Sequence, residues 1–163
     1  MRREQRDAEF VEFVTARRGH LRRVAYAVSG DWHLADDVLQ NALVKLYVAW
    51  PRVRRDGREE AYVRRIIVRA TLDERRRPWR REQPGLEGHD PAARSPLAVE
   101  ERSELFDALD QLPRMQRRTV VLRHWLGLSV AETAVELGLS EGTVKSHSSR
   151  AIERLQTVLT GHP

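Results

Sequence analysis

Residues 130 to 155 read VAETAVELGLSEGTVKSHSSRAIERL, and the hydroxyls and cations of this stretch are spaced for contact with a polyanion. Wound as a helix from Glu141 at about 100° per residue, the chain puts Gly142, Ser146, Ser149 and Glu153 on one side. Lys145 flanks that side on one edge, and Thr143 and Arg150 flank it on the other. Val144, Ser148, Ala151 and Leu155 fall opposite, with Ile152 at their edge, and form the side suited to a core. The first side lacks bulk, which is what a helix needs if its backbone is to approach base edges in a major groove about 12 Å wide. Arg150 and Lys145 have the reach for phosphates or guanine edges, and the amides of the first turn favour a phosphate. The chemistry this pattern implies is recognition of duplex DNA, and the candidate contacts are Ser140, Glu141, Gly142, Thr143, Lys145, Ser146, Ser149 and Arg150.

Four constraints in a dozen residues position that helix. Ala134 is small where two helices cross, Gly138 permits a left-handed helix end, Ser140 caps the next helix, and Val144 plugs the angle between the two. Ser129 and Glu132 have the spacing of a capping box at the start of the preceding helix. The pattern predicts a helix-turn-helix; an ordinary helical hairpin with a solvated serine face is the plain alternative. Upstream, Leu105, Phe106, Ala108, Leu109 and Leu112 predict a helix broken at Pro113, and Val120, Val121, Leu122 and Trp125 a second one over about 114–126.

A second basic surface precedes it. Arg64, Arg65 and Arg69 lead to Arg75, Arg76 and Arg77, with Tyr62 at the start of the same predicted helix, which runs from about Glu59 to Arg77 and buries Val63, Ile66, Ile67 and Ala70. Arginines interleaved with aromatics suit a single strand, whose phosphates are neutralised while unstacked bases meet π-faces; a charged, solvated helix face is the alternative. Two further helices precede this one. Phe10, Val14, Leu21, Val24, Ala25 and Val28 mark the first, ended by Ser29-Gly30. Asp31 caps the second, whose band of Leu34, Val38, Leu39, Ala42, Leu43, Leu46, Ala49 and Trp50 is expected to stop at Pro51.

The whole chain is therefore expected to be all-α, with two small helical domains over 8–80 and 101–160 joined by a flexible linker over 81–100. Pro84, Gly85, Gly88, Pro91 and Pro96 interrupt any regular element there. With 163 residues, 40% of them apolar, the chain has enough for two such domains. There is no cysteine, which excludes disulfides, zinc ribbons and thiol nucleophiles. The six histidines show no H-E-x-x-H spacing. No enzymatic activity, metal or cofactor is expected. A net charge of +5 fits a polyanionic partner, and only Lys45 and Lys145 are lysines, the other basic residues being arginine with its bidentate fork. No apolar run approaches the roughly 20 residues that cross a bilayer, and MRREQRDAEF lacks an apolar leader core. No membrane partner and a cytoplasmic location are expected.

Three segments, LADDVLQNALVKLYVAW, AYVRRIIVRATLDERRR and LDQLPRMQRRTVVLRHWLGLSVAETAVELGLSEGTVKSHSSRAIERL, resemble the extracytoplasmic-function (group IV, sigma-70 family) RNA polymerase sigma factors, in particular their short actinobacterial SigE-like type. The resemblance implies that the first domain is sigma region 2 and the second sigma region 4. It implies that Asp36, Asp37, Gln40, Asn41 and Lys45 contact the clamp coiled coil of core RNA polymerase. The loop from Val53 to Glu60, with Arg54 and Arg55, would capture a flipped base of the minus-ten element, beside Tyr62, Arg65, Arg69 and Arg75 to Arg77. Arg69 stands where the family often has Asn. The helix from Glu141 would read the minus-thirty-five element, the helices around Leu112 to Trp125 would meet the polymerase flap tip, and an anti-sigma protein is an implied further partner.

The function expected is that of an alternative sigma factor, which directs core polymerase to promoter DNA and helps open it. A stand-alone helix-turn-helix regulator is the alternative, and it leaves the arginine and acid helices of the first domain unexplained. Arg150→Ala and Lys145→Ala, titrated with promoter DNA over a salt series, test the groove assignment. A phosphate contact gives uniform weakening and a salt slope shallower by about one, whereas a base contact relaxes specificity at one position. Unchanged affinity in both variants contradicts the assignment.

Overall fold

The computed structural model describes residues 2–76 and 104–161. The linker expected over 81–100 lies outside the described residues. The chain divides into two units, residues 1–89 and 90–163, and the described residues of each are helical with no strand. Among the described residues, no helix is long and apolar enough to cross a membrane.

The first unit is built from α1 (Arg3–Ser29), α2 (Trp32–Arg55) and α3 (Glu59–Arg76), each of which packs on the other two. Helix α1 starts ahead of residue 8 and ends as expected: Gly30 has φ 74° and gives its N–H to the Tyr26 carbonyl at 2.7 Å. Leu21, Val24, Ala25 and Val28 are buried, whereas Phe10 and Val14 are half-buried. Phe10 instead meets Tyr47 and Trp50 edge-on at 5.1 and 5.5 Å between ring centroids. Asp31 caps α2 by accepting from the N–H groups of His33 and Leu34 at 2.9 and 3.2 Å.

Pro51 does not stop α2, contrary to expectation; the helix runs through it to Arg55. Proline forfeits one N–H bond, to the carbonyl four residues back. Beyond it Val53 is only 5% exposed and shares the core with Trp50, so apolar burial in the last turn offsets that loss. The helix closes with N–H bonds from Asp56 to Arg52, Gly57 to Arg54 and Arg58 to Val53. The loop expected over 53–60 thus shrinks to 56–58, with Gly57 at φ 67° turning the chain. In α3, Val63 and Ile67 are buried as expected and Ile66 and Ala70 are half-buried; Val68, Thr71 and Leu72 are buried in addition. The buried Thr71 hydroxyl donates to the Ile67 carbonyl at 2.7 Å.

Polar contacts fasten the start of α3. Arg17 pairs with Glu60, and Arg54 reaches Glu59 at 3.1 Å and Glu9 at 3.8 Å. His20 Nε2 lies 3.7 Å from Glu60 Oε1. Burial, and then the cations of Arg17, Arg23 and Arg64, hold the His20 imidazole below its ordinary value of 6.5. At neutral pH the contact is therefore one of a neutral ring with a carboxylate.

The second unit contains α4 (Glu104–Asp110), α5 (Arg114–Val120), α6 (Val130–Leu137) and α7 (Glu141–Thr160). Phe106, Ala108, Leu109 and Leu112 are buried, but Leu105, expected in the core, is exposed in the first turn of α4. The helix expected over 114–126 forms, with its last part, Val121–Trp125, wound as a π-helix closed by the Leu126 N–H on the Val121 carbonyl at 3.0 Å. Arg117 is buried against Asp110, Nη1 to Oδ1 2.8 Å. Trp125 is half-buried, tilted on Phe106.

Two outcomes follow. Ile67→Ala is expected to cost about 2–5 kcal/mol in denaturant unfolding, the range for deleting a fully buried branched side chain. For His20, the unfolded chain takes up the proton first on acidification, so stability falls as pH drops below 6.5 until the folded form is protonated too. His20→Gln should flatten that part of the stability–pH curve, measured by thermal melts across the range.

Candidate nucleic-acid and polymerase interfaces

Three surfaces carry the residues singled out in the sequence. On α7, Ser140 Oγ accepts the Thr143 N–H at 3.1 Å and donates to Thr143 Oγ1 at 2.8 Å. These two hydroxyls therefore build the helix start. Gly138 turns the chain at φ 67° and the Leu139 N–H returns to the Ala134 carbonyl at 3.0 Å. Ser129 and Glu132 form the reciprocal capping box of α6, at 3.0 and 2.9 Å. Its backbone bond holds the Glu132 carboxyl below its ordinary value.

Val144 and Ala151 are fully buried, while Ser148, Ile152 and Leu155 are half-buried. Ser148 Oγ also meets His124 Nε2 at 3.1 Å, which ties α7 to the π-helix. On the other side Glu141, Gly142, Lys145, Ser146, Ser149 and Arg150 are exposed together, with Thr143 half-buried at their edge. A Cβ built at Gly142 would meet nothing within 4 Å. Its missing side chain thus serves no internal packing and leaves the helix surface bare.

The second surface lies where α2 meets α3. Arg54, Arg55, Arg65 and Arg69 are exposed and Tyr62 is half-buried, with the Arg52 guanidinium 6.0 Å from its ring centroid. Arg54 also reaches Glu9 and Glu59. Val53 is corrected: it is a core residue of α2, so its side chain presents nothing to a ligand. The side chains of Arg75 and Arg76, and Arg77 altogether, lie outside the described residues.

The third surface is the outer face of α2. Asp37, Gln40, Asn41 and Lys45 are exposed there, and Asp36 is half-buried because Arg22 of α1 grips it. The sequence reading missed that Val44 and Val48 belong to this face, at 61% and 77% exposure. The signal was present: Asp37, Asn41, Val44 and Val48 recur at intervals of four, three and four, one line along a helix. The two valines border a groove of ≈ 600 Å³ completed by Pro51, Tyr62 and Ile66. The second and third surfaces therefore adjoin along one groove.

Comparison with known proteins gives these surfaces a context. A family model for Sigma-70 region 2 matches residues 13–81, and one for Sigma-70, region 4 matches residues 102–155. The chain is 36% identical over 156 residues to the RNA polymerase sigma-E factor of Streptomyces coelicolor, covering 93% of this chain and 86% of that protein. It is 38% identical over 145 residues to the ECF RNA polymerase sigma factor SigM of Mycobacterium tuberculosis, covering 88% and 74%. Among solved structures, the sigma factor RpoE of Bartonella quintana, crystallised with the anti-sigma factor NepR, aligns with a TM-score of 0.58 at 26% identity, covering 93% of this chain and 97% of that one. CnrH, in complex with the cytosolic domain of CnrY, shares the fold with a TM-score of 0.53. With regions 2 and 4 both present in order, and relatives of this kind matched over 86% and 74% of their length, this chain belongs to the ECF RNA polymerase sigma factors of the sigma-70 family.

Proposed function

We propose that the protein acts as an alternative sigma factor that brings core RNA polymerase to promoters with two elements and helps to open them. It is a transcription initiation factor and not a catalyst, working in the cytoplasm. The observation that carries the reading is the coexistence, on one chain, of a bare-faced helix-turn-helix and a separate helical unit with adjoining arginine and polar–apolar faces. A regulator that only binds duplex DNA has no use for the second of these.

In this reading the first domain, over 8–80, binds polymerase and the minus-ten element, and the second, over 101–160, the minus-thirty-five element. The outer face of α2, with Asp36, Asp37, Gln40, Asn41 and Lys45 joined by Val44 and Val48, docks on the polymerase clamp. Exposed valines between polar residues suit a surface that is covered on assembly. Arg54, Arg55, Tyr62, Arg65, Arg69, Arg75, Arg76 and Arg77 hold the opened strand. Extruding a base costs a few kcal/mol of unstacking, which aromatic and phosphate contacts must offset. The face of α7 from Glu141 to Arg150 reads the upstream element, with Lys145 and Arg150 as its cationic contacts and Ser140 as the residue that sets the helix start. The helices around Leu112 to Trp125 meet the polymerase flap tip. Two weak readers on one chain act at high effective concentration once polymerase fixes their spacing, so promoter affinity should depend on core. An anti-sigma protein that covers these faces is the natural means of control; the similar sigma factor RpoE was crystallised with one, NepR.

Transcription in vitro from a promoter library, with purified core polymerase and the protein, tests the reading. Initiation that requires the protein and selects a two-element motif is expected. Absence of such initiation, together with tight duplex binding by the protein alone, would leave the stand-alone regulator as the better account. Within that assay, Val48→Asp is expected to weaken core binding by about tenfold or more, the cost of truncating a central apolar contact with a charge, while leaving duplex binding by α7 unchanged.

A further inference from the structure

Arg22 belongs to no surface so far described, yet it touches the one acid of the polymerase-facing set that is not fully presented to solvent. Its Nε donates to Asp36 Oδ1 at 2.6 Å and its Nη2 to Asp36 Oδ2 at 3.3 Å, so the guanidinium grips both carboxylate oxygens. The guanidinium carbon also lies 4.4 Å from the centroid of the Trp32 ring. Trp32 in turn stacks on Tyr26 at 3.9 Å and 7° between planes, and both aromatics are buried. Arg22 comes from α1, Trp32 is the first residue of α2, and Asp36 lies one turn further along α2. The side chain of Arg22 is 16% exposed and that of Asp36 is 45% exposed.

We infer that Arg22 is a positioning residue for polymerase recognition: it fixes the Asp36 carboxylate so that its outer edge is presented to the partner. The inference rests on the assignment of the outer α2 face to core polymerase. A carboxylate has about four lone-pair positions and Arg22 takes one on each oxygen, so the solvent side keeps acceptor capacity for a donor on the partner. An aspartate on a helix surface otherwise samples several rotamers, and each one lost on docking costs free energy. Arg22 removes that cost in advance, because its own plane is fixed on Trp32. Lysine cannot take its place, since an ammonium has neither the fork nor the flat face.

The test uses the full chain and core polymerase, with affinity measured by fluorescence and referred to the fraction folded by circular dichroism. Arg22→Lys keeps the charge and the apolar stem, which preserves folding, and Arg22→Gln provides a second variant that keeps a planar head. Either is expected to weaken core binding by about tenfold, and to have no further effect in an Asp36→Ala background, since a coupled pair loses its term only once. Loss of the same size in both backgrounds marks a merely structural role and overturns the inference, as does unchanged core affinity. Asn41→Arg and Lys45→Glu test the face itself. If they leave core affinity intact, the face assignment fails and the inference falls with it; if they weaken binding while the Arg22 variants do not, the positioning role alone is overturned.

Discussion

The buried side of α7 determines what its other side can do. Val144 and Ala151 are fully buried, and Ser148 is held by His124. With one side anchored, the opposite side can be left without bulk from Gly142 to Arg150. A helix with no such anchor would need charged pairs along its exposed face to stay helical alone, and those side chains would keep a duplex at a distance. The cap at Ser140 and the left-handed Gly138 fix where the helix begins and the angle at which it leaves α6. The bare face of this unit is thus a consequence of packing and backbone geometry.

The first unit differs in leaving polar and apolar groups exposed side by side on α2. Its three helices bury an aromatic and aliphatic core around Trp50, Leu46 and Ile67, and the margins are fastened by ion pairs of Arg17 and Arg54 with glutamates at the start of α3. Partly exposed pairs of this kind add little to stability. Their service is geometric: they fasten the start of α3 beside the short turn at Gly57.

Much of this was legible in the sequence because the signals are local. Asp31, Ser129 and Ser140 as caps, and Gly30 and Gly138 as helix ends, act within a single turn. What failed was decided by contacts between elements. Pro51 obeys a local rule that the burial of Val53 overrides, and that burial also removes Val53 from the candidate contacts. Arg117 reads as a surface cation but lies buried against Asp110. Arg22 and Asp36 are brought together by the corner between α1 and α2, which no periodicity reveals. Val44 and Val48 share one line of the helical winding with Asp37 and Asn41, but periodicity alone does not separate an exposed valine from a core one.

Neither reading surface is expected to suffice without polymerase. Footprinting on a promoter fragment, with the protein alone, core polymerase alone, and both together at physiological salt, tests it most directly. Protection of both promoter elements, with melting at the downstream one, is expected only when the protein and core polymerase are present together. Full protection of the upstream element by the protein alone, at the same concentration and unaffected by core, would contradict it.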